Sequence, residues 1–265
     1  MDDQIPKKSL GQHWLKDADT LCTIADAAKI GPEDTVLEIG PGLGTLTQLL
    51  VRRAKMVYAV ELDEALVTQL RGIYALLPQY QDKIEIIQAD ILQFDLSQLP
   101  KGYKIVANIP YYLTSNLLRV VCQADNPFNQ AAFLVQKEVA ERVVAGPGDM
   151  SVLSVSVQFF ATASLGPVVD ASKFTPPPKV DSQVLILSHH GPLFKDVDIK
   201  QFFRLVKAGF SERRKKLRSS LSGGLRISKD QVESLLTRAG ISPDARAQEL
   251  SLDDWYAIYK ADINT

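Results

Sequence analysis

Short apolar runs alternate with amphipathic stretches through the first part of the chain. Over residues 17–28, Leu21, Ile24, Ala25 and Ala28 recur at helical spacing, and Asp17 or Asp19 is placed to cap the helix. Five runs then read as strands: Thr35–Ile39, Met56–Glu61, Ile84–Gln88, Lys104–Ala107 and Ala132–Val135. Between them, residues 44–53, 63–76 (ended by Pro78) and Thr114–Gln123 read as helices. The strands are apolar throughout, not alternating, which predicts a mostly parallel sheet covered on both faces. After about residue 150 the rhythm changes, and Leu153–Phe160 fits helix or strand by pattern alone. Residues 160–188 predict two more strands around the proline-rich turn Phe174–Lys179, as a sheet-edge addition. From about 198 the pattern is helical, with Phe202, Phe203, Val206 and Phe210 on one face. Helices over 228–239 and 251–260 start at Ser228 and Ser251, and Gly223-Gly224 is expected to separate two segments. The expectation is an α/β domain over residues 1–188 and a small all-helical C-terminal domain over 189–265.

Composition narrows the class. The chain has 265 residues, 46% of them hydrophobic, enough for a large core. No apolar run approaches a membrane span, and Met1-Asp2-Asp3-Gln4 lacks the basic region of a secretory leader, so no membrane partner and a cytoplasmic location are expected. Cys22 and Cys122 read as buried small hydrophobes, and His13, His189 and His190 do not have metal-ligand spacing. Neither a disulfide framework nor a metal is expected, and His189 and His190 read as loop residues without a role. The net charge of −1 conceals an asymmetry: residues 1–180 carry 16 basic and 20 acidic side chains, residues 181–265 carry 14 and 11. That balance permits a nucleic-acid face without requiring one.

Two motifs carry the chemistry. Glu38-Ile39-Gly40-Pro41-Gly42-Leu43-Gly44 follows a predicted strand and opens a helix. Glycine there allows a sharp turn and lets a ligand lie against the main chain. Glu61 ends the second strand, where a carboxylate accepts hydrogen bonds from a ribose diol, and Asp90 follows the third, where it can hold an adenine amino group. The spacing is G-x-G-x-G preceded by an acid, whereas a pyrophosphate site uses G-x-G-x-x-G. S-adenosylmethionine has an ammonium, a carboxylate and a sulfonium but no phosphate, and Glu38 can balance its positive charge. A nicotinamide enzyme and a ligand-free tight turn remain as alternatives.

The second motif is Asn108-Ile109-Pro110-Tyr111-Tyr112, directly after the fourth strand. An exocyclic adenine nitrogen is a poor nucleophile, because its lone pair is delocalised into the ring. Two acceptors aimed at its N–H groups draw it toward tetrahedral geometry. The Asn108 side-chain oxygen and the Pro110 carbonyl, held by the fixed φ of proline, are the candidates. Tyr111 offers a flat face to a flipped-out base.

With these residues in place, the chain resembles the small-subunit ribosomal RNA adenine dimethyltransferase family, the KsgA type, over nearly its whole length. The resemblance is carried by Gly11–Leu15, Glu38–Gly44, Glu61, Ala89-Asp90, Asn108–Tyr112, Gln136–Arg142, Leu153–Val155, Phe174–Ser182 and Arg213–Arg218. It implies a Rossmann-like class I methyltransferase sheet with a small helical C-terminal domain. It implies that His13 and Leu15 close over S-adenosylmethionine, Gly40 and Gly42 line it, Glu61 holds its ribose and Asp90 its adenine. Asn108 is then placed to touch donor and target, Tyr111 to stack on the target base and Phe174 to clamp the other face. The products are S-adenosylhomocysteine and two adjacent N6,N6-dimethyladenosines in a hairpin near the 3′ end of 16S rRNA. The implied partner is that rRNA within a pre-30S particle, met by a monomer.

Three departures stand out: Trp14 where the family commonly has phenylalanine, Asn116 where it has proline, and a shortened loop over 146–151. Arg213, Arg214, Lys215, Lys216 and Arg218 form the densest basic run, following Phe210 on a predicted helix, with Leu217 and Leu221 expected to point inward. Arg204, Lys207, Lys7 and Lys8 are additions to the patch. Alone, such a run is a solvated helix face; with the resemblance it is assigned to RNA phosphates. A 23S rRNA adenine methyltransferase conferring antibiotic resistance shares both motifs, but Lys179–Ser182 and the basic run favour the small subunit. A non-catalytic assembly factor is disfavoured by the intact Asn108–Tyr111.

Overall fold

The computed structural model describes residues 12–212 and 214–263; Lys7, Lys8, Gly11 and Arg213 lie outside the described residues. A two-residue strand, β1 (Trp14–Leu15), precedes α1 (Ala18–Ala27), whose cap is Asp17 accepting from the Thr20 amide. The expected rhythm follows: β2 (Thr35–Ile39), α2 (Thr45–Arg53), β3 (Met56–Glu61), α3 (Glu64–Ala75), β4 (Ile84–Gln88), β5 (Lys104–Asn108), α4 (Thr114–Cys122) and β6 (Gln130–Gln136). Next come α5 (Lys137–Val144), α6 (Val152–Gln158), β7 (Ala161–Val169), β8 (Phe174–Thr175) and β9 (Ser182–His189). Helices α7 (Ile199–Gly209), α8 (Leu217–Leu225), α9 (Lys229–Arg238) and α10 (Leu252–Ile263) complete the chain.

Seven strands form one sheet in the order β4-β3-β2-β5-β6-β9-β7. The five from β4 to β6 are parallel, and β9 runs antiparallel to both β6 and β7. The chain winds outward from β2 through β3 to β4, then returns to place β5 on the other side of β2. The carboxyl ends of β2 and β5 therefore flank a reversal of strand order, where such sheets open a crevice. Both faces of the central strands are buried. Val36, Val57, Val106 and Val184 share a cluster with Leu21 and Ile24 of α1 and Leu46 and Leu50 of α2. The alternate positions Leu37, Ile105 and Phe133 are equally buried and point to the opposite face. This two-sided burial is why the strands read as continuous apolar runs.

The chain divides into two compact units, one running to Ala140 with Ala161–His190, the other comprising Glu141–Phe160 and the chain from Gly191. The single boundary expected at 188–189 is corrected: residues 141–160 belong to the second unit. An aromatic cluster binds them there, with Phe159 and Phe160 packing against Phe194, Phe202 and Phe203. The ambiguous run near 153 is the helix α6, fixed by a reciprocal cap between Ser151 and Ser154. Ser228 and Ser251 accept the Gln231 and Asp254 amides, as caps do. His189 is not a loop residue: it ends β9, hydrogen-bonds the Cys122 carbonyl at 3.0 Å and meets the Phe128 ring edge.

Gly223-Gly224 does not separate helices; both residues lie within α8. A Cβ at Gly224 would sit 2.6 Å from the Ala208 Cα of α7, so the glycine permits backbone-to-backbone approach, whereas a Cβ at Gly223 meets nothing closer than the Glu212 carboxylate at 4.0 Å. The two positions predict opposite signs. Gly224→Ala lowers stability by roughly 1–3 kcal/mol through overpacking, and Gly223→Ala raises it by about 0.5–1 kcal/mol through helix propensity. Denaturant titration of the full chain measures both.

Candidate active site

The cavity at the carboxyl ends of the strands is lined by residues from β1, the β2–α2 turn, the end of β3, the turn after β4 and the segment following β5. It brings together His13, Leu15, Gly40, Gly42, Glu61, Asp90, Asn108, Pro110 and Tyr111.

The glycine turn is built by φ values of +66° at Gly40, +58° at Gly42 and +80° at Gly44. At Gly44 a Cβ would also lie 2.6 Å from the Leu70 Cδ2, so that side chain would have to shift. The Gly40 amide donates to the Val60 carbonyl at 2.9 Å, tying the turn to β3. Glu61 is held by three backbone amides: Leu62 at 2.8 Å, Asp63 at 2.9 Å and Gly42 at 3.1 Å. A carboxylate has about four acceptor sites, so about one is left for a hydroxyl in the cavity. Asp90 accepts from the Leu92 amide at 3.0 Å and the Gln93 side chain at 3.1 Å, which fixes the turn after β4.

Asn108 is oriented by its amide group. Nδ2 donates to the His13 carbonyl at 3.2 Å. A carbonyl accepts only, so this contact fixes which way the carboxamide faces and leaves Oδ1 for a ligand. The Pro110 carbonyl accepts the Leu113 amide at 3.0 Å and retains a second lone pair. Tyr111 is half-buried, its hydroxyl hydrogen-bonded to Ser182 Oγ at 2.8 Å, and burial raises its pKa. His13 stacks beside it at 5.7 Å between centroids, and its Nδ1 donates to the Pro176 carbonyl at 2.8 Å.

The segment carrying His13 is fastened at several points. β1 pairs with β8 in the register Trp14↔Thr175 and Leu15↔Phe174. Thr45 Oγ1 donates to the Leu15 carbonyl at 2.9 Å, and Lys173 pairs with Asp17 at 2.7 Å. That pairing overturns one expectation. Phe174 does not line the cavity; it is buried in the core cluster that contains Leu15, because an extended strand paired there turns this side chain inward.

Glu38 is the electrostatic outlier. It is fully enclosed, and neither carboxylate oxygen has a hydrogen-bond partner. Burial pushes its pKa from 4.5 to about 8; the nearby Thr47 hydroxyl opposes the shift without closing a hydrogen bond, and the Glu61 charge adds to it. Tyr74 is buried close by, its hydroxyl also unpartnered, and its pKa is raised by burial and by Glu38. Glu38 was legible as the acid before the glycines, but Thr47 and Tyr74 carry no sequence signal.

The basic run is not helical as expected. Arg214 and Lys215 are exposed in the turn before α8, Lys216 is its N-cap residue and only Arg218 lies in it. Lys216 pairs with Asp244 at 2.9 Å and Arg218 pairs with Glu233, so two of the charges are already countered. Arg213 lies outside the described residues. Leu217 and Leu221 are buried. Among the described residues there is no group of three or more potential metal ligands, and no helix is long and apolar enough to cross a membrane.

Comparison with known proteins adds four findings. The sequence model of the ribosomal RNA adenine dimethylase family matches residues 4–263. A ribosomal RNA small subunit methyltransferase A from Dehalococcoides mccartyi is 43% identical, covering 94% of this chain and 86% of its own length. Among solved structures, a dimethyladenosine transferase from Plasmodium falciparum aligns with a TM-score of 0.78 at 27% identity, over 93% of this chain and 96% of that one. The 23S rRNA methyltransferase ErmE aligns at 0.71 and 28%, over 94% and 98%.

The Glu38 carboxyl makes stability pH-dependent. Between pH 4.5 and about 8 the native state keeps a proton that the unfolded chain has lost, so this group's contribution falls as pH rises. The limit is about 1.4 kcal/mol per pH unit. Unfolding free energy of the ligand-free protein minus that of Glu38→Gln is expected to decline from pH 5 to 8. A pH-independent difference contradicts the assignment.

Proposed function

The chain belongs to the ribosomal RNA adenine dimethylase family, and from that premise we propose that its cavity transfers methyl groups from S-adenosylmethionine to N6 of two adjacent adenosines in a hairpin near the 3′ end of 16S rRNA. The observation that carries this reading is the Asn108 carboxamide, anchored through its NH2 group with its oxygen free, at the edge of a cavity shared with Gly40, Glu61 and Asp90.

The cavity suits the donor. An ammonium gives Glu38 the partner its oxygens lack, and a pyrophosphate does not, which disfavours a nicotinamide enzyme. Glu61 meets the ribose and Asp90 the adenine amino group, while Leu15, His13, Gly40 and Gly42 enclose the rest. Bound there, S-adenosylmethionine supplies a methyl group on a positively charged sulfur. Asn108 Oδ1 and the Pro110 carbonyl accept from the two N–H groups of the target amine and draw its lone pair out of the ring. Tyr111, steadied by Ser182, presents the ring face not covered by His13 to the flipped base. No general base is needed, because charge develops on nitrogen and the proton leaves afterwards.

We place the reaction in the cytoplasm, on a pre-30S particle, by a monomer that needs no metal. The ribosomal substrate of the family and a transfer that calls only on hydrogen-bonding side chains support that reading. The fold is shared with ErmE, so fold alone does not separate small from large subunit; the 43% identity to a small subunit methyltransferase does.

Incubation of the enzyme with labelled donor and undermethylated subunits tests the proposal. Label is expected on adenine N6 of the small subunit, and label on the large subunit alone contradicts it. Replacing Arg214 and Lys215 with glutamine is expected to weaken subunit binding and to reduce the salt slope of log K by about 0.7–0.9 per lost phosphate contact. Equal affinity at every salt concentration would show the run to be only a charged surface.

A further inference from the structure

Trp14 holds a hydrogen-bond donor that the fold leaves unused. The indole Nε1 is buried and has no partner. The ring lies against the glycine turn: a Cβ on Gly42 would stand 3.7 Å from both Nε1 and Cδ1. Trp14, Gly42 and Glu61 line the same cavity. Buried N–H groups are nearly always paired, because leaving one unpaired forfeits its hydration. An indole N–H donates only, so the missing partner must be an acceptor.

Two acceptors at the turn already carry protein donors. Glu61 takes the Gly42, Leu62 and Asp63 amides, and the Pro41 carbonyl takes the Gly44 amide. Four other side-chain donors at the cavity are also committed. His13 Nδ1 bonds to Pro176, Thr45 Oγ1 to Leu15, Asn108 Nδ2 to His13 and the Tyr111 hydroxyl to Ser182. A donor molecule seated as above has its ribose matched to Glu61, its adenine to Asp90 and its ammonium to Glu38. Its carboxylate, which only accepts, has no side-chain partner in that scheme.

We propose that the Trp14 indole N–H donates a hydrogen bond to the carboxylate of the bound methyl donor, making Trp14 a binding residue. The inference rests on the methyl-donor reading of the cavity.

Trp14→Phe keeps the ring and removes the N–H. Two probes, titrated calorimetrically into the full-length wild type and variant, separate the cases. S-adenosylhomocysteine carries the carboxylate; 5′-methylthioadenosine keeps the nucleoside and sulfur but lacks it. The variant is expected to bind S-adenosylhomocysteine roughly ten- to hundred-fold more weakly, as for a hydrogen bond to a charged group, and 5′-methylthioadenosine unchanged. Unchanged binding of the second probe also shows that the cavity is intact. Indole fluorescence gives an independent readout. The only other tryptophan is Trp255, which is fully buried in the second unit, so the S-adenosylhomocysteine-dependent emission change is expected to vanish in the variant. Equal S-adenosylhomocysteine affinity in the two proteins, or an equal loss for both probes, overturns the proposal. Failure of S-adenosylhomocysteine to bind the wild type overturns the methyl-donor reading itself, a separate result.

Discussion

Everything at the cavity depends on the parallel pairing of β2 with β5. Each strand is buried on both faces, so neither can slip in register without moving apolar side chains out of the core. Because the strand order reverses between them, their carboxyl ends are left uncovered by a connecting helix. The residues that follow those ends must turn away in different directions. Gly40 and Asn108 are thereby placed on either side of one opening, with Glu61 and Asp90 on the β3 and β4 side.

Within that opening, polar groups fall into two kinds. Glu61, the Asn108 amide, His13 Nδ1 and the Tyr111 hydroxyl are satisfied by the protein, and those bonds fix their orientation before any ligand arrives. Preorganisation of this sort lowers what binding must spend on ordering side chains. Glu38 and the Trp14 indole are buried and unsatisfied. Such groups destabilise the empty protein and are stabilised when a ligand of matching charge and polarity fills the cavity. The fold thus holds the cavity open at some expense in its own stability.

The parallel strands and the helices between them were legible because burial on both faces of the central strands writes near-continuous apolar runs, and β2, β3 and β5 run into Gly40, Glu61 and Asn108, which line the cavity. The two-residue pairing of β1 with β8 has no periodicity and joins segments about 160 residues apart, so the inward turn of Phe174 could not be read. Val152–Gln158 alternates valine or leucine with serine, a strand-like pattern; the Ser151–Ser154 cap and burial on several sides make it a helix. Assignment of residues 141–160 to the second unit depends on phenylalanines that meet only in the folded chain. Gly223-Gly224 looks like a linker in sequence, but both residues lie within α8, and Gly224 lets its backbone approach Ala208 of α7.

The proposed methyl transfer turns on the oxygen of Asn108. Its most direct measurement compares Asn108→Ala with the wild type for donor-analogue affinity and for single-turnover methyl transfer to undermethylated small subunits. Analogue affinity within a few-fold of wild type, with transfer slowed roughly 100- to 1000-fold, is the predicted result, the size expected for losing one group that stabilises a developing charge. Wild-type transfer rates in the variant would contradict it.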